Sequence, residues 1–295
     1  CREIVEKYDV DGIHFDFIRY PETSGDIVDR NSWAKYGTKS GKTKADWRRD
    51  NITALVREMY KTVKGIKPWV KVTAAPLGKH ADTDRFSSGN WNGYNRVFQD
   101  AQGWMKEGII DGVYPMLYYK DNNFYPFVFD WIENCYGRPV VAGLGIYFMH
   151  PREGKWTLDI VQRQMNFCRS KGIGVAHYRS QFLTENTKGL YDWCESEYYP
   201  YPSLAFGLPW QTKQAPDAPK DLKAEAANGT ITLGWSKVDD PEYNTYVTYN
   251  VYRSKSGPVD TRNPANLIAA RLMDNQLKIN HNVPNCTSNE KFKGI

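Results

Sequence analysis

The sequence predicts an α/β barrel followed by a small all-β sandwich. Three observations carry this. Strand-like and helix-like segments alternate through the first two thirds. The strands there are short and apolar on both faces, as in a parallel sheet covered by helices. After about residue 205 the pattern changes to short alternating strands with turn signals between them.

The strand candidates of the first part are residues 10–19, 69–78, 110–119, 139–148 and 173–182, rich in Val, Ile and aromatics. Between them, "DWRRDNITALVREMYKTVKGIKP" sets Ile52, Leu55, Val56, Met59, Tyr60 and Val63 on one helical stripe. Asp46 is its expected N-cap, and Gly65 and Pro68 its expected end. "YNRVFQDAQGWMKEG", "YPFVFDWIENCYG" and "TLDIVQRQMNFCRSKG" follow the same plan, each closing on Gly. A barrel and an open doubly wound sheet both fit this alternation. No Gly-rich phosphate loop follows a strand, which favours the barrel. An eight-stranded barrel takes about 250 residues. Five visible strands, and a chain that opens in the helix before the first, predict a TIM-like barrel truncated at its N-terminus. The expected domains are residues 1–205 for this C-terminal part of the barrel, 206–216 for a Pro-containing linker, and 217–295 for the β domain.

In the last part, residues 221–227, 230–237, 245–255 and 266–272 read as strands, and Asn228-Gly229 as a hairpin turn. Alternation of Ile231, Leu233 and Trp235 argues for a half-buried sandwich. "APKDLKAEAANGTITLGWSKV", with its leading prolines and Trp235, and the Tyr-rich "YNVYRSKSG" resemble a fibronectin type III domain, here truncated at its C-terminus.

Composition narrows the function. The 295 residues are 14% aromatic, with 20 Tyr and 10 Trp, which suits stacking on sugars. Net charge is +5 and the basic residues are scattered. The densest run, "KSGKTKADWRR", reads as a solvated helix start, and no nucleic-acid motif accompanies it. The cysteines are Cys1, Cys135, Cys168, Cys194 and Cys286. An odd count with no C-x-x-C pair argues against a disulfide framework or a zinc site. Cys135, Cys168 and Cys194 read as buried thiols, and Cys1 as an accident of where the chain was cut. No run is apolar enough to span a membrane, no signal peptide is present, and no metal or cofactor is expected.

The stretch "DVDGIHFDFIRYPE" concentrates the acids. Alternation places Gly12, His14, Asp16 and Ile18 toward the lumen and Asp11, Ile13, Phe15 and Phe17 toward the helices. Parallel barrels carry their active sites at the C-terminal ends of the strands, where Asp16 falls. "EGIIDGVYPMLYY" repeats the strand entry, matching Asp111 to Asp11, but has Met116 where Asp16 would stand. Asp11 and Asp111 therefore read as structural and Asp16 as the candidate for chemistry.

"YDVDGIHFDFIRYP", "ADWRRDNITALVREMYKTVKGIKPWVKVTAAPLG", "WMKEGIIDGVYPMLYY" and "RPVVAGLGIY" resemble the glycosyl-hydrolase-like 10 family of bacterial envelope proteins. The resemblance implies a TIM-like barrel, often followed by a fibronectin-type domain, and secretion or a lipid anchor on the full-length protein. It also implies hydrolysis of glycosidic bonds, for some members in peptidoglycan glycan strands, and sets Asp16 on the family's strand-end Asp. Where many members carry a second acid this chain has Phe17, and where many carry Gln it has Met116.

Glycoside hydrolysis uses two carboxylates, one of them protonated to release the leaving oxygen. Asp16 is the candidate nucleophile or base. Glu22, Asp121 and Glu185 are candidate partners in loops. His14, Arg19, Tyr20, Tyr118, Tyr119, Tyr147, Tyr178 and Gln181 lie at strand exits, and Trp91 in the long loop "GKHADTDRFSSGNWNGYN", where a polysaccharide would bind. The alternative is a non-catalytic carbohydrate-binding barrel with a fibronectin-type spacer.

Overall fold

A computed structural model describes residues 1–22, 29–211, 214–243, 245–255, 257–280 and 291–294. Cys286 lies outside the described residues. The chain divides into two compact units, Cys1–Tyr191 and Asp192–Ile295.

In the first unit, helix α1 (Arg2–Lys7) leads into strand β1 (Gly12–Phe15). After α2 (Arg30–Lys35) and the long α3 (Lys44–Ile66), strand β2 (Lys71–Ala74) pairs parallel to β1. Short α4 (Gly93–Arg96) and α5 (Ala101–Glu107) precede β3 (Gly112–Val113) and β4 (Met116–Leu117). These two strands are halves of one lane broken at Pro115, a residue with no N–H to give. Then come α6 (Tyr125–Glu133), β5 (Val141–Leu144), α7 (Leu158–Ser170), β6 (Gly174–His177), α8 (Ser180–Thr184) and, at the boundary of the units, α9 (Leu190–Trp193).

The strands order as β1-β2-β3 and β4-β5-β6. Parallel bridges Leu77–Met116 and Val113–Val140 join the two sets. The result is one five-lane parallel array in chain order. A doubly wound sheet reverses its order at a switch point; here the order never reverses, so the winding is that of an α/β barrel. The five lanes are the five predicted strands, trimmed at their ends.

Alternation along β1 holds as far as Phe15. Ile13 and Phe15 pack with Val5, Val63, Val70, Val72 and Tyr60, on the side covered by α1 and α3. Phe17 departs from it: the ladder has ended, its φ is +53°, and its side chain is exposed. Asp111 is fully buried, and Lys64 Nζ, the Tyr60 hydroxyl and the Val72 N–H converge on its carboxylate at 2.5, 3.0 and 2.8 Å. It ties α3 to the entries of β2 and β3, a structural task.

Thr43, rather than Asp46, caps α3, accepting the Asp46 N–H at 3.1 Å. The basic run at this start is paired within the fold. Arg48 donates to Asp29 at 2.6 and 2.8 Å, Lys44 approaches it at 3.3 Å, and Lys42 pairs with Asp50. The predicted helix at 94–108 is two pieces, split where Phe98 takes φ +56°. Gly108 ends α5 in the left-handed conformation, φ +77°. Gly78 is needed where β2 leaves the sheet: a Cβ there would stand 2.4 Å from the Met116 carbonyl. Cys168 and Cys194 are buried and Cys135 half-buried beyond α6. Among the described residues, no helix is long and apolar enough to cross a membrane.

In the second unit, β7 (Lys223–Ala227), β8 (Thr230–Gly234) and β11 (Gln276–Asn280) form one antiparallel sheet, ordered β11-β8-β7. β9 (Tyr249–Ser254), β10 (Leu267–Leu272) and β12 (Lys291–Gly294) form the other, ordered β10-β9-β12. Asn228 and Gly229 turn the first hairpin with φ +49° and +72°, the primed geometry that matches strand twist. Ile231, Leu233, Trp235, Tyr249 and Val251 form the core.

Candidate active site

The C-terminal ends of β1, β4, β5 and β6 carry the candidate residues. In β1, His14 stands in register with Thr73 of β2, its Nδ1 2.9 Å from the Thr73 hydroxyl. The Tyr114 ring meets it edge-on at 5.0 Å. Burial lowers the His14 pKa, and the charge of Asp16 opposes this. A neutral imidazole held by a hydroxyl and an aromatic edge is an orienting group.

Asp16 follows one residue after β1 and is exposed. Its Oδ1 accepts the Phe17 N–H at 2.7 Å, which closes the turn out of the strand. The chain beyond is tied to the 97–99 turn: Gln99 Nε2 donates to the Ile18 carbonyl at 2.8 Å and the Tyr20 N–H to the Val97 carbonyl at 3.0 Å.

Three strand exits also supply a tyrosine cluster. Tyr118 and Tyr178 stack at 5.0 Å and 14°. Tyr147 meets both edge-on, at 6.0 and 5.8 Å. Burial raises the Tyr118 pKa well above the usual tyrosine range, and Tyr178, Asp16 and Tyr147 add to it. Burial also raises Tyr119 and Tyr147. The phenols are therefore neutral hydrogen-bonding groups at neutral pH. The Trp91 side chain and the Glu22 charge both act on the Tyr119 hydroxyl.

Asp16 thus acts on Tyr118 and Glu22 on the next residue, Tyr119. The charges of two predicted acids are thus felt at adjacent residues of the β4 exit, whose side chains alternate in direction. Arg19 Nη2 lies 3.5 Å from Glu22. Asp121 does not join them: it begins a turn with φ +52°, and its charge is felt by Tyr125 of α6. Tyr20 packs edge-on against Phe98 at 5.6 Å with its hydroxyl accepting from Asn51 at 3.3 Å, so it braces the loop. Gln181 donates to Glu185 at 2.8 Å within one exposed helical turn.

Sequence reasoning missed Thr73, Tyr114 and Lys79. Register with His14 marks Thr73, while Tyr114, two residues beyond the Gly112 that shares this register, reaches it through its ring. Lys79 follows the β2 exit and is buried, its Nζ donating to Asn123 Oδ1 at 2.6 Å and lying 4.9 Å from the centre of the Tyr119 ring. Among the described residues, no group of three or more His, Cys, Asp or Glu could hold a metal ion.

A strand-end carboxylate and aromatic side chains gathered at the C-terminal strand ends of a parallel βα array make a site of the α/β-barrel kind. The Glycosyl hydrolase-like 10 family profile matches residues 1–135, the segment that holds Asp16, Glu22, Trp91, Tyr118 and Tyr119, and it bears out the resemblance read from the sequence there. Glycosyl hydrolase YngK of Bacillus subtilis is 28% identical over 271 residues, covering 86% of this chain and 53% of that protein. Glycosyl hydrolase DigH of Escherichia coli is 33% identical over 122 residues, covering 40% of this chain and 28% of that protein. The chain thus spans about half the length of the first relative and less of the second. Among solved structures, the endo-β-1,4-mannanase from Thermotoga petrophila aligns with 86% of this chain and 56% of its own at 12% identity and a TM-score of 0.36. Endo-glycoceramidase II from Rhodococcus sp. aligns with 80% of this chain and 54% of its own at 14% identity and a TM-score of 0.29.

Proposed function

We propose that this protein hydrolyses O-glycosidic bonds of a bacterial envelope polysaccharide, such as the glycan strands of peptidoglycan. The observation that carries the reading is the placement of Asp16. It is an accessible carboxylate at a strand exit, flanked by His14 and the Tyr118 cluster, inside the segment that matches a glycosyl-hydrolase-like family. Asp16 is the nucleophile or the base that activates water, and Glu22 is the second carboxylate. The separation of the two on a bound sugar, about 5 Å or about 6.5–9.5 Å, sets retention or inversion. Tyr118, Tyr147, Tyr178 and Trp91 offer ring faces and hydroxyls to the sugar. The second unit is a fibronectin type III-like spacer, a reading its paired three-stranded sheets and buried Trp235 support. An envelope location, by secretion or a lipid anchor on the full-length protein, accords with such a substrate.

The pairing of Glu22 with Arg19 favours a second reading, a carbohydrate-binding barrel without catalysis, because that pair occupies the second acid. Asp16→Asn decides between them. Incubated with soluble peptidoglycan glycan strands, chitohexaose and mannohexaose, wild type should release shorter products and Asp16→Asn none, with binding retained. Cleavage by Asp16→Asn at the wild-type rate would show that the assignment of Asp16 is wrong. Binding by wild type without cleavage would establish the second reading.

A further inference from the structure

Phe17 occupies a position that alternation reserves for a core residue, yet it is 70% exposed, the highest value among the large apolar side chains described. Its φ of +53° lies in the left-handed region, which crowds any side chain with a Cβ. Neither the exposed ring nor the left-handed backbone is recovered as packing in the core.

The ring is nevertheless held. The Arg19 guanidinium lies 4.7 Å from its centre. Arg19 itself is largely buried, with only 10% of its side chain exposed and Nη2 3.5 Å from Glu22. The Phe17 N–H is bound by Asp16 Oδ1 at 2.7 Å, so ring and carboxylate belong to one turn. A cation behind the ring and a carboxylate beside it leave an accessible apolar surface at a set distance from the strand-end acid.

We infer that Phe17 is a stacking platform for the C–H face of the pyranose ring bound next to Asp16. The inference rests on the glycan reading and adds a specificity residue to it. Such a platform favours sugars with an uninterrupted apolar face, and it places that face against the turn that orients the carboxylate.

The test uses the full chain with Phe17→Ala and Phe17→Trp, and titrates soluble peptidoglycan glycan strands, chitohexaose and mannohexaose by calorimetry beside thermal melts. On the glycan wild type binds best, Phe17→Ala should weaken affinity about tenfold, equivalent to about 1.4 kcal/mol. Its melting temperature should stay within about 2 °C, because the ring supports little of the fold. Phe17→Trp should restore affinity. Where cleavage is measured, KM should rise more than kcat falls. Affinity within twofold of wild type in Phe17→Ala would overturn this assignment alone, leaving the glycan reading in place. So would a loss of affinity accompanied by a fall in melting temperature that Phe17→Trp does not reverse. If wild type binds none of the three glycans, the parent reading falls and the platform with it.

Discussion

Tyr118 and Tyr178, from the exits of two lanes of the array, stack with ring centres 5.0 Å apart and planes 14° from parallel. Tyr178 is still 49% exposed, so one ring anchors the pair and the other presents a face to solvent. Aromatic pairs of this kind contribute about 0.5–1.5 kcal/mol beyond burial. Tyr178→Ala should therefore cost about 1 kcal/mol of stability in urea unfolding and weaken glycan binding about tenfold in calorimetry. Tyr178→Phe keeps the stack and should lose only the part carried by the hydroxyl. Equal glycan affinity in wild type and Tyr178→Ala would remove the pair from the binding surface.

Asp111 makes the opposite use of a carboxylate. It is fully buried and meets Lys64 at 2.5 Å. Removing one partner of a buried pair leaves the other charge without compensation, typically at 3–5 kcal/mol. Asp111→Ala should lose roughly that much in chemical denaturation, and Lys64→Met on the same background should recover part of it. A loss below about 1 kcal/mol, the range of exposed pairs, would deny Asp111 its structural role.

How far the sequence could be read follows from which contacts are local. The parity of Ile13 and Phe15 and the five strands rest on short-range pattern, and the structure carries them out. The echo of Asp11 and Asp111 holds in position at the strand entry but not in environment, Asp111 being fully buried and Asp11 exposed. Phe17 escaped the pattern because alternation assumes a strand that continues, whereas the Asp16 carboxylate captures the next N–H and turns the chain. Lys79 looks like a loop cation in sequence, and only the fold brings Asn123 and the Tyr119 ring to it. The Asp16 charge reaches Tyr118 from a different strand exit, a long-range relation that parity along β1 alone does not show.

The cap of α3 shows the same limit on a smaller scale. Asp46 and Thr43 are both capping residue types, three positions apart. The structure makes Thr43 the cap, with its hydroxyl accepting the Asp46 N–H at 3.1 Å and donating to the Asp46 carboxylate at 2.6 Å. Loss of such a cap costs about 1 kcal/mol. Thr43→Ala should lower unfolding stability by about that amount, while Thr43→Ser, which keeps the capping hydroxyl, should leave it nearly unchanged, read as urea midpoints. Equal midpoints for wild type and Thr43→Ala would mean that another group satisfies the helix start.

His80 should make stability depend on pH in a defined window. It follows the β2 exit, is buried against the rings of Tyr94 and Trp131 at 5.5 and 5.8 Å, and has its Nε2 3.6 Å from Asp100. Burial pushes its pKa down to about 4, against a weaker upward pull from Asp100. Unfolded, the imidazole takes its proton near pH 6.5. Between those values the unfolded chain binds the extra proton, so stability falls as pH falls. The contribution is complete above about pH 6.5 and lost by about pH 4, a change on the order of 3 kcal/mol. The pKa of Asp29 is lowered from an already acidic value by its bond to Arg48, so its own loss lies below this window. His14 and His177 are lowered by burial too, but they remain in a His80→Phe variant. Urea midpoints of wild type and His80→Phe from pH 7 to 4.5 therefore isolate His80. Wild type should lose stability more steeply, and parallel slopes would show that His80 is not held neutral in the fold.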